Sequence, residues 1–224
     1  MLRTIRLTAA IVCFTLVTLL FLDFTGTLHT WFGWLAKIQF LPAVLALNVG
    51  GVLFLIILTI LFGRIYCSVI CPLGVFQDAI SWVSGKRKKN RFRYSPAMKW
   101  LRYGVLAVFI IAMIVGLNAL AILIAPYSAY GRMVSALFAP VWQWGNNLLA
   151  YFAERAGSYA FYEVDVWIKS FSTLVIAVVT IIVLIILAWR NGRTYCNTIC
   201  PVGTVLGFIS RYSLFNSSIH TSKC

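Results

Sequence analysis

The sequence predicts an all-α membrane protein with four transmembrane helices, built from a duplicated two-helix unit. Hydrophobic residues make up 62% of the 224 residues, and the mean hydropathy is +0.92. Charged residues make up only 11%, whereas an average soluble domain has roughly 25%. The apolar residues fall in blocks of about 20, the length that crosses a bilayer. This composition excludes a disordered chain and leaves too little polar surface for a water-soluble fold.

Four apolar blocks are the predicted spans, in chain order about Leu7–Phe21, Leu41–Phe62, Tyr103–Ile124 and Phe171–Trp189. In lipid every backbone polar group must be paired internally, so these blocks are expected to be helices. The first block is short and follows two arginines, which raises the alternative of a signal peptide. Because we see no small-x-small cleavage site after it, a retained anchor is favoured.

The basic residues predict the orientation of these spans. The N-terminus, the 63–102 connection and the tail from residue 190 hold 15 Lys and Arg, whereas the other two loops hold four. By the positive-inside rule, both termini and the 63–102 connection are cytoplasmic. The run Lys86–Arg93 is interpreted as a topology determinant that contacts anionic lipid, so no nucleic-acid partner is expected. Asp78 is the one acid on this side, and we expect it to be either a helix-surface residue or the partner of an arginine, rather than a catalytic base.

One motif occurs twice and divides the chain into two halves. Residues 63–74 read GRIYCSVICPLG and residues 192–203 read GRTYCNTICPVG, with eight of twelve positions identical. Each copy follows an apolar block, the second and the fourth, so the predicted units are 1–102 and 103–224. Four of the six cysteines belong to these copies: Cys67, Cys71, Cys196 and Cys200.

The cysteine spacing predicts a metal centre. Residues four apart on a helix face the same way, so each C-x3-C pair offers two thiolates and both pairs together offer four. Disulfides are disfavoured in a reducing cytoplasm, and a dithiol catalyst more usually shows C-x-x-C. Zinc accepts four thiolates and remains an alternative. The C-x3-C-P ending is ferredoxin-like, which favours iron–sulfur.

Two further pairs of residues in the motifs bear on such a centre. Gly74 and Gly203 are expected to permit a close backbone approach, because glycine has no Cβ. Arg64 and Arg193 are expected to lie near the thiolates and to lower their pKa values.

At these motifs the chain resembles the NapH/NosR-type membrane proteins, a polyferredoxin-like 4Fe–4S electron-transfer family. That family has two cytoplasmic Y/F-C-x3-C-P motifs, here at Tyr66–Pro72 and Tyr195–Pro201. The stretch Pro126–Arg132 also looks like the family, and the resemblance covers nearly the whole chain. It implies a multi-pass protein of the bacterial inner membrane that takes part in quinol-linked electron transfer.

Family members commonly continue into a soluble ferredoxin module with further 4Fe–4S sites. This sequence ends at Cys224, where the first cysteine of such a module would fall. The resemblance therefore implies either a fragment or a missing module, and a separate electron carrier as partner. A haem is not expected, because His29 and His220 both lie outside the predicted spans.

The outer loop holds the predicted quinol contacts. Quinol binding needs an apolar slot with a few polar groups, and Tyr127, Tyr130 and Arg132 follow the third predicted span directly. The alternative is that the tyrosines belong to an aromatic belt and that Arg132 pairs with Glu154 or Glu163. An interfacial helix is expected over Phe138–Phe152.

Three functions are compatible with these features. The favoured one is an electron-transfer subunit that links a quinol pool to a partner redox protein, rather than a complete enzyme. The first alternative is an assembly or regulatory factor that handles copper or iron. The second is a structural membrane anchor with a four-cysteine zinc site.

Overall fold

The structure, a computed structural model, describes residues 2–23, 25–46, 48–87, 98–155, 157, 162–166 and 170–215. All regular secondary structure in these residues is helical, which confirms the all-α prediction. Most of the basic run Lys86–Arg93 lies outside the described residues, as do His220 and Cys224.

The first half of the chain contains six α-helices and one π-helical turn among the described residues. The helices are α1 Leu2–Leu22, α2 Thr27–Phe32, α3 Trp34–Lys37, α4 Phe40–Leu45, α5 Val49–Phe62 and α6 Pro72–Arg87. The π-helical turn, Tyr66–Ile70, lies between α5 and α6 and contains the first motif cysteine.

The second half contains seven further α-helices within the described part. They are α7 Lys99–Val115, α8 Asn118–Ile124, α9 Pro126–Met133, α10 Ala139–Arg155, α11 Phe171–Asn191, α12 Thr194–Thr198 and α13 Pro201–Ile209. A π-helical turn, Val134–Phe138, joins α9 to α10, and a 3-10 turn, Ser210–Tyr212, follows α13.

Two of the described helices are long and apolar enough to cross a membrane. They are Thr4–Leu22 within α1 and the whole of α11, Phe171–Asn191, and they match the first and fourth predicted spans. The second predicted span is divided into α4 and α5, and the third into α7 and α8. Four complete spans, cytoplasmic termini and a division between residues 102 and 103 stay predictions, and α7 runs through that division.

Local backbone chemistry explains both breaks. Before α5 the side chain of Asn48 accepts a hydrogen bond from Gly51 N at 3.1 Å, so it caps a new helix start. At the end of α7, Gly116 has a φ of 78°, and Leu117 N donates to Ala112 O at 2.8 Å. This left-handed glycine ends α7 and lets α8 fold back against it.

The segment that contains the predicted interfacial helix is one continuous helical stretch. From residue 126 to residue 155, α9, the π-helical turn and α10 follow one another without a break. This stretch packs against α1, α6 and α11. It therefore reaches the core near the motifs and does not lie on an outer surface along its whole length.

The two halves interlock through the helices that follow the motifs. Helix α6, from the first half, packs against α11 of the second, while α13 packs against α5 of the first. Ser84 Oγ of α6 donates to Trp189 O at 2.9 Å, and Leu214 N after α13 donates to Ile60 O at 2.9 Å. The helix that follows each motif thus packs against the apolar helix that precedes the motif of the other half.

Candidate metal centre

Both motifs share one backbone turn. Cys71 N donates to Tyr66 O at 2.9 Å, and Cys200 N donates to Tyr195 O at 3.0 Å. Both are bonds from residue i+5 to residue i, the π-type turn that often occurs at functional sites. The second cysteine of each motif then turns to an extended ψ, 113° at Cys71 and 117° at Cys200. The proline that follows begins the next helix, where its missing N–H costs nothing.

The glycine at the end of each motif allows that helix to fold back onto its turn. A Cβ on Gly74 would overlap the carbonyl oxygen of Cys67, and a Cβ on Gly203 would overlap that of Cys196. The predicted close approach is confirmed at both positions, and any other residue would force the backbone apart.

Side chains from each half reach the motif of the other. Gln77 Nε2 of α6 donates to Cys196 Sγ at 3.3 Å. Arg64 Nη1, at the start of the first motif, donates at 2.9 Å to Asn197 Oδ1 inside the second. These contacts bring the two cysteine pairs into one region of the molecule.

An ion pair adds a further link between the halves. Both carboxylate oxygens of Asp78 in α6 accept from the guanidinium of Arg193, at the start of the second motif. Of the two roles expected for Asp78, that of an arginine partner is confirmed. The two parallel hydrogen bonds fix the orientation of this ion pair and add to its electrostatic attraction.

The four motif cysteines are buried free thiols in this region. Their exposed fractions are 7% at Cys67, 3% at Cys71, 8% at Cys196 and 3% at Cys200. Burial, together with a smaller effect of the neighbouring Cys67, raises the pKa of Cys196 to about 12. Arg64 and Arg193 act to lower the pKa of Cys67, as expected, but burial outweighs them and its pKa is raised.

This donor set fits a cationic metal cluster. The four cysteines offer soft sulfur ligands and are buried, and ionisation of buried thiols requires compensating positive charge. No three or more His, Cys, Asp or Glu side chains in the described part of the chain are close enough to hold a single metal ion. A closed tetrahedral zinc site needs sulfurs about 3.8 Å apart, since each Zn–S bond is about 2.3 Å. A multi-iron cluster spreads its thiolates more widely because they bind different irons.

The motif tyrosines anchor the site to flanking helices. The Tyr66 hydroxyl donates to Gln39 Oε1 at 2.9 Å, and Gln39 Nε2 donates to Ile70 O at 3.3 Å. The Tyr195 hydroxyl donates to Ile124 O, the last residue of α8, at 3.2 Å. Sequence reasoning missed Gln39 and Gln77, because only tertiary packing turns these two glutamines toward the motifs.

The predicted quinol contacts lie in α9, and the structure brings this helix next to the motifs. Tyr130 is 3% exposed and belongs to the same apolar cluster as Cys67 and Cys71. Its hydroxyl lies 2.7 Å from Thr18 Oγ1. Tyr127 packs against Phe21 with ring centroids 5.1 Å apart.

The Arg132 side chain forms hydrogen bonds with the C-terminal end of α8. Its Nη1 and Nη2 donate to Ile122 O at 2.9 Å and Leu123 O at 2.7 Å, the last carbonyls of α8. The alternative pairing with Glu154 or Glu163 is not found among the described residues. With these donors engaged, Arg132 stabilises the turn between α8 and α9.

Comparisons with known proteins agree with this site. The 4Fe–4S binding domain matches the chain at residues 44–90 and 171–220, and each match contains one motif. The ferredoxin-type protein NapH of Haemophilus influenzae is 24% identical over 185 residues, which is 82% of this chain and 51% of that protein. The chain thus spans about half the length of this curated relative. No solved structure matches it.

Together these matches confirm the resemblance to NapH-like membrane 4Fe–4S proteins that the motifs indicate. They also give the cofactor of this chain as an iron–sulfur cluster.

Proposed function

We propose that this NapH-like 4Fe–4S protein transfers electrons between a quinol pool and a partner redox protein in the bacterial inner membrane. The proposed cluster ligands are Cys67, Cys71, Cys196 and Cys200. The observation that carries the proposal is that two equivalent turns bury four free thiols, and that Gln77 of the first half donates to Cys196 Sγ of the second. When bound, the cluster supplies one-electron redox chemistry.

The residues of the chain contribute burial, orientation and hydrogen bonding. Apolar packing around the motifs excludes water, because the thiols of Cys67, Cys71 and Cys200 share one core that includes Leu73, Val202 and Leu206. Gln77 donates to Cys196 Sγ, and Gly203 N donates to Cys200 Sγ at 3.3 Å. Hydrogen bonds of this kind set the reduction potential of a cluster.

A cavity of about 400 Å³ beside the first motif supports the quinol link. Its lining is largely apolar and includes Trp34, Ile38 and Ile70, with Gln39 as a polar group. This is the volume and chemistry of a small-molecule pocket. Since Ile70 lies inside the first motif, a quinol in this cavity would be next to a proposed cluster ligand.

The cluster proposal is tested by removing single ligands from the full chain. Cys71→Ala is expected to lower the iron and sulfide content and the visible absorbance of the purified protein. Cys13→Ala is the matched control, because Cys13 is a free cysteine in α1, outside both motifs. A colourless protein that holds zinc would end the main proposal and favour the zinc anchor. Transfer of the metal to an acceptor protein would favour the assembly factor.

The quinol proposal is tested by narrowing the cavity. Ile38→Trp is expected to lower the rate of quinol-dependent cluster reduction at least tenfold, while the iron content stays unchanged. Ile114→Trp is the control, since Ile114 is 79% exposed on α7. If Ile38→Trp has no effect while Tyr127→Phe or Tyr130→Phe slows reduction, the quinol binds at α9 instead.

The proposed orientation is tested with a protease site inserted between residues 88 and 97. The basic residues of this connection predict that it is cytoplasmic. Cleavage is expected in inside-out vesicles, and cleavage in intact spheroplasts would reverse the topology.

A further inference from the structure

Three arginines line one cavity next to the motifs. The cavity has a volume of about 230 Å³, and its lining includes Arg64, Arg102 and Arg211. The three come from distant segments: the start of the first motif, the beginning of α7 and the 3-10 turn after α13. No Asp or Glu of the described chain lines this cavity. Like charges brought together without a counter-charge destabilise a fold unless an anion joins them.

The repeat indicates what is missing from this cavity. In one half, Arg193 pairs with Asp78, which lies six residues after Pro72. The equivalent of Arg193 in the other motif is Arg64, and the residue six positions after Pro201 is Gly207. The position that holds a carboxylate in one half therefore holds a glycine in the other.

The arginines converge on that glycine. A Cβ on Gly207 would lie 2.6 Å from Arg102 Nη2 and 2.7 Å from Arg64 Nη2. Two guanidinium groups thus point at the place that corresponds to the carboxylate of the other half. Arg211 lies over the Phe208 ring, 5.4 Å from its centroid, and adds a third positive charge at the cavity wall.

Neutral partners hold two of these arginines in position. Arg64 Nη1 donates to Asn197 Oδ1 at 2.9 Å. Arg102 Nε donates to Thr204 Oγ1 at 3.2 Å, and its Nη2 also reaches Thr204 O at 3.4 Å. These bonds orient the guanidinium groups. Because the acceptors are neutral, the positive charges stay available to an anion.

We propose that this cavity binds a phosphate group, which replaces the carboxylate absent at Gly207. Guanidinium groups recognise phosphate oxygens through paired hydrogen bonds, and the three together more than offset the negative charge of a phosphate group. The phosphate belongs either to a phospholipid head group or to a soluble phosphate. Exposed aromatic rings at the cavity favour the lipid, since Tyr103 and Phe208 pack with centroids 6.0 Å apart. The site is separate from the proposed electron transfer and joins both halves of the repeat.

The test compares two substitutions of equal size at Gly207. The cluster-loaded full chain, purified in neutral detergent, is titrated with phosphatidylglycerol, with phosphatidylcholine and with inorganic phosphate, and the thermal unfolding midpoint is followed. Gly207→Asp supplies the carboxylate and is expected to raise the apparent Kd for phosphatidylglycerol at least tenfold. Gly207→Asn has the same shape without the charge, and its Kd is expected to stay within about threefold of the wild-type value.

A second pair of variants avoids the crowded glycine. Arg211 is exposed, so Arg211→Gln is expected to fold and to raise the Kd at least threefold. Arg190→Gln is the matched control, because Arg190 is an exposed arginine that does not line the cavity. Stabilisation by inorganic phosphate alone would identify a soluble ligand, and stabilisation by phosphatidylglycerol alone would identify the lipid.

Two results would overturn the proposal. One is a wild-type protein that responds to neither phosphatidylglycerol nor phosphate. The other is an equal response from Arg211→Gln and Arg190→Gln, together with an unchanged Kd in Gly207→Asp. Visible absorbance of the cluster is recorded for every variant, so that failure of this proposal is distinguished from failure of the proposed electron transfer.

Discussion

The substitution Gly74→Ala is the most direct test of the motif geometry. A methyl group at this position would overlap the carbonyl oxygen of Cys67, the first cysteine of the same motif. Because that oxygen belongs to the backbone, no side-chain rotation relieves the contact. The start of α6 and the π-helical turn Tyr66–Ile70 must separate until the two atoms reach ordinary contact, at 3.4 Å or more.

The expected loss of stability in Gly74→Ala is the difference between two opposing contributions. Overpacking of this kind costs about 1–3 kcal/mol. Alanine in place of glycine within a helix raises the free energy of unfolding by roughly 0.5–1 kcal/mol. The expected net loss at Gly74 is about 1–2 kcal/mol, which lowers the unfolding midpoint by about 2–8 °C in a protein of this size. Gly203→Ala is expected to behave in the same way, because its Cβ would overlap the carbonyl oxygen of Cys196.

The assay measures the thermal unfolding midpoint and the iron content per chain for each variant. Gly104→Ala is the matched control, since Gly104 lies in α7 and nothing lies within 4 Å of its added Cβ. The control should keep its iron and be equally stable or slightly more stable than wild type. If Gly74→Ala matches the control in both measurements, the turn does not hold the cysteines as described.

Further predictions concern differences between the two motifs. Gln77→Leu removes the hydrogen bond to Cys196 Sγ and should lower the cluster potential by about 20–60 mV in a redox titration, where 59 mV is about 1.4 kcal/mol for one electron. An unchanged potential would show that this bond does not reach a ligand. Asp78→Asn leaves Arg193 without its carboxylate and should lower the free energy of unfolding by about 1 kcal/mol in denaturant titrations, because the pair is partly exposed. Loss of this effect in an Arg193→Gln background would confirm that both substitutions act through one pair.

Features encoded by composition and spacing could be predicted from the sequence. The all-α class, α1 and α11 follow from apolar length, and the close approach at Gly74 and Gly203 follows from the repeated motif. For Asp78 the sequence left a surface position and an arginine partner open, and the structure shows the pair with Arg193. Averaged hydropathy predicts the helices, and residue type at fixed spacing predicts the glycine contacts.

The remaining features depend on single backbone conformations and on tertiary packing. Gly116, which has a left-handed φ, breaks the third predicted span. Hydropathy averaged over the block does not predict this backbone conformation. The position of α9 beside the motifs follows from that break, because α8 turns back toward Tyr195. The prediction that Tyr130 lies in an outer loop assumed that the third span is unbroken. In the structure Tyr130 belongs to the core that contains Cys67 and Cys71.

The two halves keep the same turn but differ immediately after it. The residues five and six positions beyond the motif proline are Gln77 and Asp78 in the first half, and Leu206 and Gly207 in the second. The first half therefore supplies both the donor to Cys196 and the carboxylate for Arg193, while the second supplies neither to the first motif. Duplication fixes the positions of four thiols, and divergence at these two positions gives each cysteine pair a different electrostatic environment. The two cysteine pairs of the proposed cluster therefore differ in hydrogen bonding and in neighbouring charge.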